Sequence, residues 1–482
     1  MMRAILITLF LGWSTVQAQQ TLTGTWAGKI GGSLSVIFHF ANANGQTTGS
    51  FDVPQQGATG LPFQKVKVAD DSLICTMNAP MATYAAMKLN DSTYLGSWIQ
   101  GPARVVLEIH RLSGAAAAAY APPVRLQTPQ PPFPYHSDSV EYDNTAGTVH
   151  LGATLTYPTT GGPFPAAVLI TGSGIQDRDE TIFAHRPFAV IADYLTRRGY
   201  AVLRVDDRTA GLSRGDIVNA TSADFADDVE TSLAWLRKRK DIDTTRLGLI
   251  GHSEGAMIAP MVAARDQFLD FIILLASPAE GGYATMGYQT LKPMQNAKAS
   301  DQAIEASVIR EKILLDNMIK AKTPDEFVQN VDAQYRFNTA KHKDSSGNYP
   351  SYIVPPEQLK AALTRQASIL VQPWWKFFLT YDPAPDFRKL SCFVLALGGD
   401  KDIQVDNPVD LPLIQQLVSP AEKKKVSTRL LPGLNHLFQH CHACTVEEYG
   451  KLEETFAPEV LALMGDWMDA FVGGTKAPPA SR

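Results

Sequence analysis

Gly251-His252-Ser253-Glu254-Gly255 stands between an apolar run, Leu247 to Ile250, and a stretch with helical character that begins at Ala256. The run reads as a buried strand, and Ala256, Met257, Ile258 and Ala259 continue as the first turns of a helix. A Gly-x-Ser-x-Gly at such a junction predicts a sharp, strained turn that holds the serine hydroxyl clear of the backbone. Gly251 and Gly255 leave room for neighbouring chain to pass closely. The helix points its positive end at the turn, so the backbone N–H of Glu254 faces a developing oxyanion. An isolated pentapeptide of this kind arises by chance in about one chain in ten of this length. The strand before it and the helix after it therefore carry the reading.

A serine hydroxyl becomes a nucleophile only when a histidine takes its proton and an acid orients that histidine. On a strand–turn–helix scaffold the chain order is serine, acid, histidine. Downstream, Cys392 to Leu397 reads as a strand followed by Gly398-Gly-Asp400-Lys-Asp402-Ile-Gln-Val405. Val426 to Leu431 reads as the last strand and is followed by Pro432-Gly-Leu-Asn-His436-Leu-Phe438. Ser253, Asp402 and His436 are the expected triad. Asp400 is the alternative acid, Asp406 a distant third, and His440 and His442 are the rival bases. Upstream, the apolar strand Ala166 to Thr171 runs into Gly172-Ser173-Gly174-Ile-Gln-Asp177-Arg178-Asp179-Glu180. A loop in this place donates the second oxyanion N–H. Ser173 is the expected donor, partnering Glu254, with Gly172 as runner-up. The charges from Asp177 to Glu180, and Asp206, Asp207 and Arg208, read as loop anchors.

Strands and helices alternate from about Ser137, with continuously apolar strands such as Phe271 to Ala276. That alternation predicts an α/β fold with a mostly parallel sheet covered by helices, here an α/β-hydrolase fold over residues 137–279 and 390–474. Residues 280–389 break the rhythm and read as a helical cap inserted above the carboxyl ends of the strands. Its Trp374, Trp375 and Phe378 are candidate substrate-binding residues; a place in the core of the cap is the blander alternative.

Ahead of this lies a different pattern. Leu34, Val36, Phe38 and Phe40 alternate with smaller or polar residues, Asn44-Gly45 marks a hairpin, and Tyr94 to Ile99 and Arg104 to Ile109 read as further strands. A small β-barrel or sandwich over residues 20–112 fits these intervals. The alanine run Ala115 to Ala119 and the prolines from Pro122 to Pro134 mark a linker over 113–136. Met1-Met-Arg3, the apolar Ala4 to Trp13 and Val16-Gln17-Ala18 have the form of a cleaved signal peptide, residues 1–18, so a secreted or periplasmic protein is expected. The apolar run is too short to span a bilayer.

The 482 residues carry a net charge of −5, which gives no reason to expect nucleic acid as a partner. Four cysteines are too few for a disulfide scaffold. Cys441-His442-Ala443-Cys444 lacks the second ligand pair of a zinc site, so a local disulfide or free thiols is expected there and no metal. No phosphate-binding or dinucleotide glycine loop is present, so no cofactor is expected. Oligomeric state is left open.

The order G-S-G-I-Q-D-R-D-E, L-R-V-D-D-R, G-H-S-E-G, G-G-D-K-D-I-Q-V and L-P-G-L-N-H-L-F-Q, covering about Phe133 to Phe471, resembles a bacterial α/β-hydrolase esterase family. That family is grouped with the serine aminopeptidase-like hydrolases, and its members often carry a small β domain in front. The resemblance implies Ser253 as nucleophile, Asp402 as acid and His436 as base. Two positions depart from the family pattern: Thr171 stands where a histidine is common, and Thr209 where a glycine is common. The expected function is an exported serine carboxylesterase acting on small to medium acyl esters. A serine aminopeptidase or amidase using the same triad is the alternative, and a non-catalytic binding protein the remote one.

Overall fold

The computed structural model describes residues 22–473 apart from 33, 44–45, 55–57, 79–80, 101–102, 119–123 and 419–424. The signal-peptide reading, the Asn44-Gly45 turn and Ala119, Pro122 and Pro123 of the linker lie outside the described residues. The chain divides into two compact units, residues 1–122 and 123–482.

The first unit is one antiparallel sheet of nine strands. They are β1 (Gly24–Ile30), β2 (Leu34–Ala43), β3 (Gln46–Val53), β4 (Ala58–Pro62), β5 (Lys65–Ala69), β6 (Ser72–Asn78), β7 (Met81–Asn90), β8 (Thr93–Gln100) and β9 (Ala103–Arg111). Their order is β4-β3-β2-β1-β9-β8-β7-β6-β5. The two ends of this sheet, β4 and β5, are joined by Phe63 and Gln64 alone. So short a connection brings the sheet edges near one another, and the sheet curls around its apolar face. The residues that alternate inward, among them Val36, Phe38, Phe51, Leu73, Tyr84 and Leu107, are fully buried in one cluster.

The second unit is built on eight strands: β10 (Tyr135–Asp143), β11 (His150–Pro158), β12 (Phe164–Ile170), β13 (Ala201–Val205), β14 (Ile242–His252), β15 (Phe271–Leu275), β16 (Phe393–Gly399) and β17 (Val426–Leu431). They lie in the order β10-β11-β13-β12-β14-β15-β16-β17. The pairs β10–β11 and β11–β13 are antiparallel, and the rest of the sheet is parallel. Every residue of β12 and β15 is buried, as a sheet covered on both faces requires.

The period of two decides which core each side chain joins. Val168, Leu249, Ile272 and Val394 pack with helices Ser222–Leu236, Glu254–Arg265 and Asn407–Leu417 on one face. Leu169, Ile250, Ile273 and Leu395 pack with Pro187–Arg197 and Pro458–Phe471 on the other. This is an α/β-hydrolase sheet preceded by an all-β unit. Between β15 and β16 the chain forms helices Gly282–Asn296, Asp301–Lys320, Pro324–Thr339, Pro356–Leu370, Pro373–Thr380 and Ala384–Phe387.

The end of the chain differs from the sequence pattern. One helix from Glu447 to Phe471 is expected, but the structure has Val446–Tyr449 and Pro458–Phe471 with irregular chain between. Pro458 has no N–H to continue a helix and disfavours helical backbone before it. The N–H groups of the break find other partners: Thr455 and Phe456 donate to Gln127 Oε1, and Ala457 donates to the carbonyl of Phe438. Gln127 and Arg125, in the proline-rich stretch, thereby hold residues 450–456 in place.

Candidate active site

Four loops at the carboxyl ends of parallel strands build the site, and the elbow is the first. Ser253 follows β14 with φ 55° and ψ −117°, a backbone region that few side chains tolerate. Its N–H donates to the Leu275 carbonyl at 2.8 Å. A Cβ on Gly251 would lie 2.1 Å from the Gly255 carbonyl oxygen, and one on Gly255 would lie 2.1 Å from that of Ile170. Both glycines are therefore demanded by close backbone approach, and the strain is held at the serine.

The second loop follows β16 and carries Asp402, which is 2% exposed. Its Oδ1 accepts the N–H groups of Gln404 at 2.7 Å and Val405 at 3.0 Å. Its Oδ2 accepts from Asn407 Nδ2 at 3.0 Å and pairs with His436 Nδ1 at 2.8 Å. The third loop follows β17 and carries His436, itself buried. Asp400 faces elsewhere: its Oδ1 accepts the Gly433 N–H at 2.6 Å, tethering the histidine loop. Asp406 precedes the helix Asn407–Leu417, and burial raises its pKa. His440 bonds Glu454 and Glu459, and the exposed His442 lies beyond it. Cys441 and Cys444 form a disulfide. Ser253 and His436 line one cleft of about 230 Å³ together with Ser173, Trp374, Trp375 and Phe378.

The sequence model of the X-Pro dipeptidyl-peptidase (S15) family matches residues 146–404, over half of the chain, including Ser253 and Asp402. The chain belongs to the S15 family. Esterase EstD of Thermotoga maritima is 32% identical over 215 residues, 44% of this chain and 50% of that protein, so the S15 chain spans half the length of this relative. An uncharacterised 31.7 kDa protein of Escherichia coli is 24% identical over 278 residues, 57% of this chain and 82% of its own. Among solved structures, the α/β-hydrolase GrgF from Penicillium sp. superposes with a TM-score of 0.43 at 16% identity, covering 70% of this chain and 99% of its own. An esterase of Pyrococcus furiosus gives 0.43 at 14%, covering 70% and 92%.

In the S15 chain the loop after β12 is held from several directions. Thr171 Oγ1 donates to Asp207 Oδ1 at 2.7 Å, and the Gln176 N–H donates to Asp207 Oδ2 at 2.8 Å. Burial drives the Asp207 carboxyl well above the ordinary range, against the pull of these two bonds. The Gly172 N–H donates to Glu180 Oε1 at 2.7 Å. Gly172 is thus already engaged, which leaves the Ser173 N–H as the candidate donor of this loop.

Glu180, read from the sequence as a loop anchor, and His252, which the sequence pattern left without a role, complete the scaffold. Glu180 Oε1 also bonds His252 Nδ1 at 2.9 Å, and His252 Nε2 reaches the backbone carbonyl of His436 at 3.0 Å. Burial depresses the His252 pKa, but the charge and hydrogen bond of Glu180, the His436 carbonyl and the Asp402 charge together outweigh it, and the net shift is upward. Glu180 and His252 therefore pin the loop after β12, the elbow and the loop after β17 to one another. Both sit inside conspicuous motifs, but their adjacency, 72 residues apart in sequence, appears only in the fold. Among the described residues, Cys441, Cys444 and Glu448 form the one cluster of a size to hold a metal, and its thiols are joined in the disulfide.

Proposed function

We propose that the protein is an exported serine hydrolase that cleaves small to medium carboxylic esters through an acyl-enzyme. The observation that carries this reading is the buried Asp402–His436 pair at 2.8 Å, in the same cleft as a serine held at φ 55°. Ser253 Oγ attacks the ester carbonyl carbon while its proton passes to His436. Asp402 keeps Nδ1 as the donor and stabilises the imidazolium. The N–H groups of Ser173 and Glu254 receive the oxyanion at the start of the helix Glu254–Arg265. Collapse expels the alcohol with the histidine proton, and water, activated by His436, then releases the acid. The apolar surface of Trp374, Trp375 and Phe378 in the cleft suits an acyl chain. Export rests on the composition of the first 18 residues.

A peptidase reading is favoured by the family match alone. An enzyme that binds a free amino terminus needs a carboxylate to receive it. The one carboxylate among the residues lining the cleft is Glu180, already bonded to Gly172 and His252. Turnover of short-chain p-nitrophenyl esters, abolished in Ser253→Ala, is the expected result. Faster turnover of an X-Pro p-nitroanilide than of any ester would replace the ester reading with the peptidase one.

A further inference from the structure

The residue after the nucleophile carries a carboxyl group where only its backbone N–H is needed. Glu254 is 3% exposed, and its Oε1 accepts Ser222 Oγ–H at 2.6 Å and Trp374 Nε1–H at 2.8 Å. Burial raises the pKa of this carboxyl, while Ser222, Trp374 and the Ser173 side chain pull it down as bond donors. One side chain therefore joins the start of the helix Ser222–Leu236, the oxyanion loop at Ser173 and the helix Pro373–Thr380 at Trp374.

Trp374 is half-buried, stacks on Phe378 at 5.0 Å with an interplanar angle of 11°, and meets Trp375 edge-on at 4.7 Å. All three rings line the cleft with Ser253 and Ser173. An indole N–H has no acceptor capacity and needs a partner once it leaves water. The acceptor it finds here, the Glu254 carboxyl, is covalently part of the nucleophile elbow.

We infer that Glu254 is a positioning residue that locks Trp374 as the specificity-determining wall of the cleft, so that an acyl group touching the indole reports to the oxyanion donors through this carboxylate. The inference rests on the serine-hydrolase reading above and extends it. It makes Trp374 more than apolar surface: an acyl group long enough to press on the ring helps order Ser173 and Glu254, and an acetyl group does not. Selectivity for the longer acyl group then resides in kcat rather than KM.

Trp374→Phe tests this, because it preserves a ring for the stack on Phe378 and removes only the N–H. Steady-state kinetics on p-nitrophenyl acetate and hexanoate are expected to show the hexanoate-to-acetate ratio of kcat falling about 10-fold, the equivalent of one lost hydrogen bond, with KM nearly constant on both esters. Glu254→Gln is expected to give the same pattern, and the double variant to be no worse than either single one. Chain-length dependence of Ser253 labelling by p-nitrophenyl alkylphosphonates reads the same selectivity without turnover. Wild-type selectivity retained in Trp374→Phe overturns the inference, as does an equal loss on both esters, even where Glu254→Gln fails to fold. A wild-type protein in which Ser253 is neither labelled nor required for turnover overturns the hydrolase reading itself, and shows before any variant is made.

Discussion

The two units of this chain are both built on sheets that bury apolar side chains, yet they bury charge in opposite measure. The inner face of the nine-stranded sheet is aromatic: Trp26, Phe38, Phe40, Phe51, Phe63, Tyr84 and Trp98 fill it. Its buried carboxylate, Asp52, is paired with His39 at 2.8 Å. The second unit buries Glu180, Asp206, His252, Glu254, Asp402, Asp410 and His436, most of them in loops at the carboxyl ends of β12 to β17. Burying a charged group is costly unless it is paired and hydrogen-bonded. The first unit is thus arranged for packing, whereas the second accepts desolvated charge where chemistry needs it.

The two units should differ most at Ser253 and Asp402. Ser253→Ala and Asp402→Asn are expected to lower kcat/KM on p-nitrophenyl butyrate at least about 10⁴-fold while far-UV circular dichroism stays unchanged. Asp400→Asn, which touches the Gly433 tether and an exposed pair with Lys401, is expected to lose far less. Phe38→Ala is the counterpart in the first unit. That ring is fully buried against Phe63 at 5.2 Å and Tyr84 at 5.3 Å. Its removal is expected to cost about 3–5 kcal/mol in denaturant unfolding of the β unit, with kcat of the folded protein unchanged.

Asp410 sharpens the contrast through pH. It lies on the helix Asn407–Leu417, its Oδ1 accepts the Glu280 N–H at 2.8 Å, and burial pushes its pKa up to about 8. The folded pKa lies above the unfolded one, so the native chain keeps a proton that the unfolded chain has released. The stability from this group is therefore full below the unfolded pKa near 4 and is lost as pH rises toward 8. Asp410→Asn should flatten this slope, and the difference in Tm between wild type and variant should change by about 4 °C from pH 5 to pH 8. Equal slopes would mean that the carboxylate is solvated.

The smallest effect expected is at Thr209. It holds φ at 74°, and its hydroxyl is buried without a hydrogen-bond partner. A β-branched residue is strained in that region, which accounts for glycine being common here in the family that the motifs resemble. Thr209→Gly is expected to stabilise the protein by about 1 kcal/mol in urea unfolding, since relief of strain exceeds the added freedom of the unfolded chain.

The elbow, the β-α alternation and the apolar strands could be read directly because each is a local pattern. Phe271–Leu275 is buried on both faces and looks so in one dimension. The strands β4 and β5 are hard to read, since Ala58–Pro62 and Lys65–Ala69 are five residues each and Ala58–Pro62 lacks apolar alternation. The Pro458 break is hidden in the sequence because helical composition continues on both sides of it.

Sequence alone determined the order of serine, acid and histidine loops and the parallel sheet that carries them, because local pattern and strand periodicity specify these without distant partners. Tertiary structure alone decided that Asp402, not Asp400, faces His436, and that Gly172 is engaged by Glu180. It also joined Glu254 to Trp374, 120 residues away. Two carboxylates two residues apart are equivalent in composition. Only the backbone N–H groups and side chains that folding brings to each one give them different partners.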